Sequence, residues 1–339
     1  MSDDNKPGEF YEGSLVPNSN TFMGADQINP LSEEWDTENA DVGVVGLPWD
    51  EGSITRTGQN MGPNALRLAS DQFLYYHYDH DTDLSEHYEF VDCGDVPIIP
   101  GDVNETFDRT RTILSRLLDA EMIPVMLGGN HAIPIPGFNA LAEHVADFGI
   151  VLFDSHLDTA PDVGGYEYNH ASPIPRAIDE AGVDPENIAL VGINGMLNPS
   201  SEIDYVEEHG INVYPLDEII RRGPVAVGKD VAEVVNGGTD AVYVSWDHDV
   251  LDSAHTPGTS APTPNGMTTR ELVQMLNVVG SDGIDAIDIA ETSPGWDPSG
   301  STSRVGVRVI LELLTANATG ASNAPGLGTE ATRYGHHTD

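Results

Sequence analysis

Three stretches of this 339-residue sequence bring metal-binding residue types together directly after an apolar run. VMLGGNH (125–131) ends in a histidine, VLFDSHLD (151–158) has Asp, His and Asp at alternate positions, and VYVSWDHDVLD (242–252) has two aspartates separated by one residue. The six residues are His131, Asp154, His156, Asp158, Asp247 and Asp249. Ionised carboxylates at the ends of buried strands are costly unless a positive charge neutralises them, so the pattern indicates a cation site.

The donor set predicts which ions bind. In an extended segment the alternation places Asp154, His156 and Asp158 on one face, where they can act together. Oxygen-rich ligands with some imidazole suit Mn²⁺, and Ni²⁺ or Co²⁺ fit similar ligands. Six ligands with bridging carboxylates suffice for two ions about 3.5–4 Å apart. Each motif alone also fits an ordinary hydrogen-bonded turn or helix cap, but the occurrence of all three favours a metal centre.

The segments around these motifs predict an α/β fold. Apolar runs typical of buried strands occur at 41–47, 123–127, 148–153, 188–193, 241–246 and 284–289. Helical spacing occurs at 104–121 and 268–280, and Thr268 with Glu271 forms a capping-box pattern in the second. Helices that alternate with continuous apolar strands indicate a three-layer α/β/α fold with a mostly parallel central sheet. Sites in such folds form outside the carboxyl ends of the strands, where the three motifs lie.

Composition divides the chain into three segments. Residues 1–38 are polar and irregular, residues 39–315 contain the motifs, and residues 316–339 read as a flexible C-terminal tail. We therefore expect one catalytic domain between two loosely structured ends.

Charge and cysteine content exclude some classes of partner. Fifty-six acidic residues face 14 basic ones, which gives a formal charge of −42 and argues against nucleic acid or anionic membrane as a partner. Because the acidic residues are spread along the chain, we interpret them as the surface of a protein from a salt-accumulating halophile, not as a substrate attractor. No apolar run reaches the ~20 residues of a membrane span, and the N-terminus does not read as a secretory signal. The single cysteine, Cys93, indicates a cytoplasmic location and offers no thiolate set for structural zinc.

The motifs GGNH, DSHLDT and SWDHDVLD resemble the three metal signatures of the ureohydrolase family, which includes arginase, agmatinase and guanidinobutyrase. RTGQNMGPNALR (56–67), HTPGTSAP (255–262) and IDIAETSPGWDPSGSTSRVG (287–306) extend the resemblance over roughly residues 40–315. It implies an arginase/deacetylase-like fold, a binuclear manganese centre with two Mn²⁺ per subunit, and a homo-oligomer, either a trimer or a hexamer. By motif position, His131 and Asp158 would bind one ion, His156 and Asp249 the other, and Asp154 and Asp247 both.

The resemblance also implies a reaction. Two divalent ions lower the pKa of a shared water so that hydroxide exists near neutral pH, and its attack on a guanidinium carbon yields urea and an amine. Glu291 resembles the family's carboxylate that holds the guanidinium, and we expect Asp158 to accept a hydrogen bond from the hydroxide and orient it. His170 matches the family's proton-shuttle histidine, with a surface loop histidine as the alternative interpretation.

Departures from the family pattern bear on the substrate. Asp252-Ser253 replaces the usual Asp-Pro, GTSAPT (258–263) replaces the usual GTGTPE, and Ala160 occupies the position of the formiminoglutamase arginine. TAPDVGGYEYNH (159–170) lacks the Asn and Ser pattern with which arginases bind an amino acid. These features favour agmatine, then 4-guanidinobutyrate, with other guanidino acids and guanidine left open. Two other classes also stay open: a non-hydrolytic metal-binding protein of this fold, and a single-zinc deacetylase of a related fold.

The remaining histidines and several methionines are predicted to be structural or solvated. His248 lies between the paired aspartates and points away by alternation, so we expect a packed histidine. The histidines in acidic or tail segments are expected to be solvated: His77, His80, His87, His336 and His337. The methionines on apolar stripes are expected in the core: Met122, Met126 and Met275.

Overall fold

A central nine-stranded sheet organises the computed structural model, which describes residues 20–32, 35 and 40–320. Its strands are β1 (Asp26–Gln27), β2 (Val42–Leu47), β5 (Phe90–Asp95), β6 (Ile123–Gly128), β7 (Phe148–Phe153), β8 (Ile188–Val191), β9 (Asn212–Tyr214), β10 (Ala241–Asp247) and β11 (Ala286–Ala290). They lie in the order β1-β5-β2-β6-β11-β10-β7-β8-β9, and every pairing is parallel. A separate antiparallel hairpin is formed by β3 (Tyr76–His77) and β4 (Thr82–Asp83).

Helices cover both faces of the sheet. They are α1 (Gly62–Ser70), α2 (Val103–Asp119), α3 (Pro134–Ala142), α4 (Pro173–Asp179), α5 (Ser200–His209), α6 (Leu216–Arg222), α7 (Pro224–Asn236), α8 (Thr269–Val279) and α9 (Ser301–Thr319). Buried residues of α1, α6, α7, α8 and α9 form one hydrophobic cluster with the sheet, whereas those of α2 to α5 pack in two clusters on the opposite face. The predicted three-layer α/β/α architecture is thereby confirmed.

Strand β7 shows why apolar runs form the centre of this sheet. Val151 and Phe153 pack into the cluster on one face, and Ile150 and Leu152 pack into the cluster on the other. All four are fully buried, and burying such a side chain contributes about 1.5–3 kcal/mol. A parallel strand covered on both faces therefore needs a continuous apolar run, and this strand coincides with the predicted 148–153.

Strand β5 was not predicted, because charged residues interrupt its apolar pattern. Asp92 is fully buried, and its two carboxylate oxygens accept hydrogen bonds from Arg67 Nε (2.8 Å) and Nη2 (2.9 Å). Arg67 also pairs with Asp95 at 2.5 Å. This bidentate pair neutralises the buried charges. Arg67 lies in α1, 25 residues before Asp92, so the local sequence pattern around β5 does not reveal the pairing.

Both predicted helices are present. Helix α8 begins after Thr268 with the predicted capping box, in which the Thr268 side chain accepts from Glu271 N and the Glu271 side chain accepts from Thr268 N. Helix α2 begins after Asp102, whose side chain accepts from Glu105 N. Each cap satisfies backbone donors that the first helical turn leaves without a partner.

The ends of the described chain differ in part from the predicted irregular segments. Strand β1 lies within residues 1–38 and pairs with β5, and α9 continues to Thr319. Residues 1–19 and 321–339 lie outside the described residues, so the predictions for His336 and His337 fall there as well. The three-segment division itself remains a prediction. In the part of the chain that the structure describes, no helix is long and apolar enough to cross a membrane.

Two predictions about histidines are wrong. His77 and His80 are buried, not solvated, because the β3–β4 hairpin packs them against Glu312 of α9. His87 is exposed as predicted. The predicted core positions of the methionines are confirmed, since all three are buried: Met122, Met126 and Met275.

Candidate metal centre

The carboxyl ends of four neighbouring strands form the candidate site. Strands β6, β11, β10 and β7 are adjacent in the sheet, so the residues that follow them meet at one edge. His131 follows β6, and the close approach of that turn to Trp49 leaves no room for a Cβ at Gly129, which explains the GGNH motif. The residues brought together are His131, Asp154, His156, Asp158, Asp247, Asp249 and Glu291.

One group of possible ligands centres on His131. Its Nδ1 lies 2.8 Å from Asp154 Oδ2, 2.9 Å from Asp158 Oδ2 and 3.4 Å from Asp247 Oδ2. A second group centres on His156, whose Nδ1 lies 3.1 Å from Asp154 Oδ1 and 3.2 Å from Asp249 Oδ2. Asp154 thus directs one oxygen to each group, the arrangement that a bridging carboxylate requires.

Asp247 is placed less symmetrically than Asp154. Its Oδ2 faces His131, and its Oδ1 accepts a hydrogen bond from Asp249 N at 2.8 Å. The geometry therefore places Asp247 with the His131 group, whereas its predicted contact with both ions stays a prediction.

The electrostatics of the two groups favour the binding of a cation. Burial raises the pKa of Asp158 to about 7 and that of Asp249 to about 6, in each case despite nearby histidines. Burial opposes the charged form of Asp154, yet contacts with His131 and His156 hold its pKa well below the usual range. The same carboxylates raise the pKa of both histidines, against the effect of burial. Four buried aspartates facing two imidazoles form a site of excess negative charge.

Two orphaned atoms support the same interpretation. His131 Nδ1 and Asp154 Oδ2 are buried, face each other, and have no hydrogen-bond partner in acceptable geometry among the described residues. Nitrogen and oxygen atoms that converge without hydrogen-bonding each other fit a divalent ion between them. The residues present therefore suit the predicted metal centre.

The backbone is strained at two of the site residues. Asp158 has φ 50° and Glu291 has φ 61°, left-handed values that residues other than glycine seldom adopt. The segment after β7 bends at Ser155 and His156, where Asp154 Oδ1 accepts from His156 N at 2.6 Å, and is not the extended strand that the alternation suggested. Such strain clusters at functional sites, where surrounding contacts hold it in place.

Several supporting residues were not predicted from sequence. His131 Nε2 lies 3.0 Å from Ser245 Oγ, which donates to Asp288 Oδ1 at 3.2 Å. Asp249 Oδ1 accepts from Ser155 Oγ at 2.8 Å. The sequence signal that could have indicated Ser245 and Asp288 is a polar residue inside an otherwise apolar strand. Strand pairing places Ser245 directly opposite Asp288, and that register was needed to connect them.

Glu291 and His170 form a hydrogen-bonded pair beside the ligands. Glu291 Oε1 accepts from His131 N (2.9 Å) and from His170 Nδ1 (3.1 Å), and its Oε2 accepts from Gln59 Nε2 (2.7 Å). His170 Nε2 accepts from Ile54 N at 3.1 Å, so the pair has Nδ1 protonated. Burial lowers the pKa of His170 and raises that of Glu291, but their mutual contact outweighs both effects and reverses both shifts.

His248 is packed away from the ligands, as predicted. It is fully buried, its Nδ1 accepts from Trp246 Nε1 at 3.2 Å, and its Nε2 lies 2.9 Å from Thr292 Oγ1. Burial lowers its pKa to about 3, so it remains neutral and structural.

A cleft of about 400 Å³ opens over the two groups. Its floor includes His156, Asp158, Asp247 and Asp249, and its walls are Ile54, Thr55, His170, Ala171, Met196, Leu197, Pro199, Glu202, Ser260 and Ala261. Glu202 of α5 is 7% exposed, and its Oε2 accepts from Thr159 N at 3.4 Å. Glu202 is the wall carboxylate, and no lysine or arginine occurs among the described residues that line the cleft.

Comparison with known proteins covers most of the chain. A family model described as "Arginase family" matches residues 40–316. Proclavaminate amidinohydrolase of Streptomyces clavuligerus is 35% identical over 274 residues, which are 81% of this chain and 87% of that protein. Its solved structure aligns with a TM-score of 0.80 at 34% identity, covering 89% of this chain and 98% of the other.

Two further relatives are similar over almost their full lengths. Guanidinopropionase of Pseudomonas aeruginosa is 33% identical over 309 residues, which cover 89% of this chain and 95% of that protein. Agmatinase of Proteus mirabilis is 28% identical over 313 residues, which cover 92% of this chain and 97% of that protein.

Proposed function

We propose that this chain, which belongs to the arginase family, hydrolyses agmatine. Its relatives proclavaminate amidinohydrolase and guanidinopropionase indicate a hydrolase that acts on guanidino C–N bonds. Water and agmatine would yield urea and putrescine. The observation that carries the substrate proposal is the cleft wall, where the carboxylate of Glu202 lies among apolar side chains and no lysine or arginine lines the cleft in the described part of the chain.

The metal requirement is part of the proposal. Two divalent ions, Mn²⁺ by preference, would be held by His131 with Asp158 and by His156 with Asp249, with Asp154 and Asp247 shared. The oxygen-rich donor set and the orphaned His131 Nδ1 and Asp154 Oδ2 support this assignment. When bound, the ions would supply the acidity that makes hydroxide available near neutral pH.

The residues around the ligands would position the substrate and move protons. Asp158 faces the cleft and would accept a hydrogen bond from the attacking water, which orients it. Glu291 would hold the guanidinium through charge-assisted hydrogen bonds. Because its carboxylate is 1% exposed and already accepts bonds from Gln59 and His170, one of these partners must move when substrate binds.

His170 would deliver the proton that the leaving amine needs. Its Nδ1 is anchored on Glu291, and Nε2 is the nitrogen left to carry a transferable proton. In the structure that nitrogen accepts from Ile54 N, so the loop around Ile54 must move away when Nε2 becomes protonated. Glu291 raises the pKa of His170, which favours the protonated form required of a general acid.

The wall of the cleft fits a cationic, aliphatic substrate. Met196 and Leu197 are exposed at the cleft and offer apolar contact to a methylene chain. Glu202 provides a counter-charge for the terminal ammonium of agmatine. A terminal carboxylate would instead meet a like charge there, which disfavours binding.

A guanidino acid is the second candidate, favoured by the identities of the relatives. Proteins named proclavaminate amidinohydrolase and guanidinopropionase are 35% and 33% identical, above the 28% of Proteus mirabilis agmatinase. Arg56 lies beside the cleft over the ring of Trp296 and donates to the carbonyl oxygens of Thr259 and Ser260. This arginine would be the basic group available to a substrate carboxylate.

Replacing Glu202 with glutamine distinguishes the two candidates. A charge-assisted contact is worth about 1.5–3 kcal/mol, so kcat/KM for agmatine should fall about 10- to 150-fold in E202Q. The value for 4-guanidinobutyrate should stay the same or rise. Glu207→Gln changes an exposed glutamate of the same helix and should alter neither. Wild-type preference for 4-guanidinobutyrate, or an unchanged agmatine value in E202Q, would overturn the proposed substrate.

We further propose that the protein assembles as a homo-oligomer of three or six subunits in a salt-rich cytoplasm. The support is the family resemblance and the formal charge of −42. Light scattering during size-exclusion chromatography in molar KCl measures the subunit number, and a monomer would contradict the assembly.

A further inference from the structure

Two buried histidines lie in a cluster that shares no residue with the metal centre. His77 and His80 belong to the β3–β4 hairpin, Asn277 to α8 and Glu312 to α9; we call these four residues the hairpin cluster. The side chains of His77, His80 and Glu312 are 7%, 0% and 0% exposed. The cluster therefore assembles three segments of chain around an imidazole-rich, water-excluded point.

The donor atoms of the hairpin cluster converge. His77 Nε2 lies 3.2 Å from Glu312 Oε1, and His80 Nε2 lies 3.7 Å from Glu312 Oε2. His80 Nε2 is also 3.1 Å from Asn277 Oδ1. The rings of His77 and His80 pack edge to face, with centroids 4.5 Å apart.

These separations match those of ligands around a tetrahedral ion. Zn²⁺ binds nitrogen and oxygen at about 2.0–2.2 Å, which places neighbouring ligand atoms of a tetrahedron about 3.3–3.5 Å apart. His80 Nε2 lies 3.1 Å from Asn277 Oδ1 and 3.7 Å from Glu312 Oε2, on either side of that value, and the ligand atoms of His77, His80 and Glu312 all lie within 4.8 Å of one another. Two imidazoles, one carboxylate and one amide oxygen supply four ligands, as a closed site requires.

Glu312 supplies an independent sign that the hairpin cluster can take a ligand. Its Oε1 accepts from Arg308 Nε at 2.5 Å, whereas its buried Oε2 has no hydrogen-bond partner among the described residues. A buried carboxylate oxygen without a partner is costly, so it favours a cation beside it. Arg308 Nη2 also contacts Oε1 and lies 3.6 Å from Asp79, so Arg308 pairs with one oxygen of Glu312 and leaves Oε2 facing the histidines.

We propose that the hairpin cluster binds a divalent transition-metal ion, Zn²⁺ in preference to Mn²⁺, through His77, His80, Glu312 and Asn277. Nitrogen-rich coordination favours zinc over manganese in affinity. With four protein ligands the ion has no open position for a substrate, so its effect is structural: it fastens the hairpin to α8 and α9.

Counting bound metal in wild type and variants tests the site. Metal-free protein is loaded with excess Zn²⁺, desalted and analysed by mass spectrometry of its metal content. We expect His80→Gln to bind one Zn²⁺ per chain less than wild type while keeping urea release in Mn²⁺. His87→Gln, which changes an exposed histidine on the same stretch, should match wild type. Equal zinc content in wild type and H80Q would overturn the proposal.

A second measurement covers the case in which H80Q fails to fold. Crystals of wild-type protein grown with Zn²⁺ should show an anomalous difference peak at the zinc edge between His77, His80 and Glu312. Absence of that peak would overturn the site regardless of the variants. Because the hairpin cluster is independent of hydrolysis, wild-type protein that releases urea but shows no zinc at the hairpin cluster rejects this inference alone. Wild-type protein that shows the zinc but releases no urea rejects the proposed function alone.

Discussion

Ser245 should control how tightly the metal centre binds manganese. Its hydroxyl is fully buried, lies 3.0 Å from His131 Nε2 and donates to Asp288 Oδ1 over 3.2 Å. Because the hydroxyl donates to Asp288, it accepts from His131, which keeps the proton on Nε2. The lone pair of Nδ1 is then directed toward Asp154 and Asp158, where a metal ion would lie.

Ser245→Ala removes that acceptor and leaves the Nε2–H buried without a partner. The cost is about 1–3 kcal/mol, which corresponds to about 5- to 150-fold at 1.4 kcal/mol per factor of ten. Loss of comparable partners of metal-bound histidines weakens binding about 10- to 100-fold. We therefore expect Mn²⁺ to dissociate from S245A about 10- to 100-fold more readily, with urea release largely restored at saturating Mn²⁺.

Chelator competition gives the Mn²⁺ dissociation constants, and urea release at several Mn²⁺ concentrations gives the apparent activation constants. Ser70→Ala is the matched control, because its hydroxyl is equally buried and donates to Arg67 O far along the chain from the ligands. It should lower the free energy of unfolding without changing Mn²⁺ affinity. An S245A protein that binds Mn²⁺ as tightly as wild type would refute the reasoning.

Three further outcomes are expected. His170→Ala should lower kcat for urea release about 10²- to 10⁴-fold while leaving Mn²⁺ affinity unchanged, and turnover near wild type would remove its role as proton shuttle. Mn²⁺ affinity of metal-free protein should rise as pH rises through about 6 and 7. The reason is that Asp249 and Asp158 have pKa values raised to about 6 and about 7, and the metal must displace their protons. Calorimetry that finds a pH-independent affinity would contradict this. Molar KCl should raise the Tm relative to about 0.1 M KCl, because 56 acidic residues repel one another and the Debye length shortens from about 10 to about 3 Å, whereas a Tm that falls or stays constant would argue against a halophilic surface.

The convergence of the candidate metal ligands could be predicted from sequence because residue chemistry and sheet topology coincide in them. Runs such as 148–153 are apolar enough to be buried on both faces, and parallel strands place their carboxyl ends at one edge. His131, Asp154 and Asp249 come directly after such runs, so their convergence follows from the fold class. The fold class itself follows from alternating strands and helices.

Features that depend on distant pairing were not predicted. Asp92 looks incompatible with a buried strand until Arg67 is known to bind it from α1. Ser245 and Asp288 are isolated polar residues until the register of β10 with β11 places them opposite each other.

The hairpin histidines were predicted to be exposed, but distant packing buries them. His77 and His80 lie in an acidic stretch typical of solvent, but α9 brings Glu312 to them from 235 residues away. Local sequence reports the propensity of a segment, whereas burial depends on what packs against it.

The most direct test of the metal-dependent hydrolase is a titration of metal-free protein with Mn²⁺ in molar KCl while urea release from agmatine is followed. Urea release should be negligible without metal and should rise until two Mn²⁺ are bound per chain. A plateau at one ion would indicate a single-metal enzyme. Two ions bound without urea from agmatine, 4-guanidinobutyrate, 3-guanidinopropionate, guanidine or arginine would contradict the hydrolase.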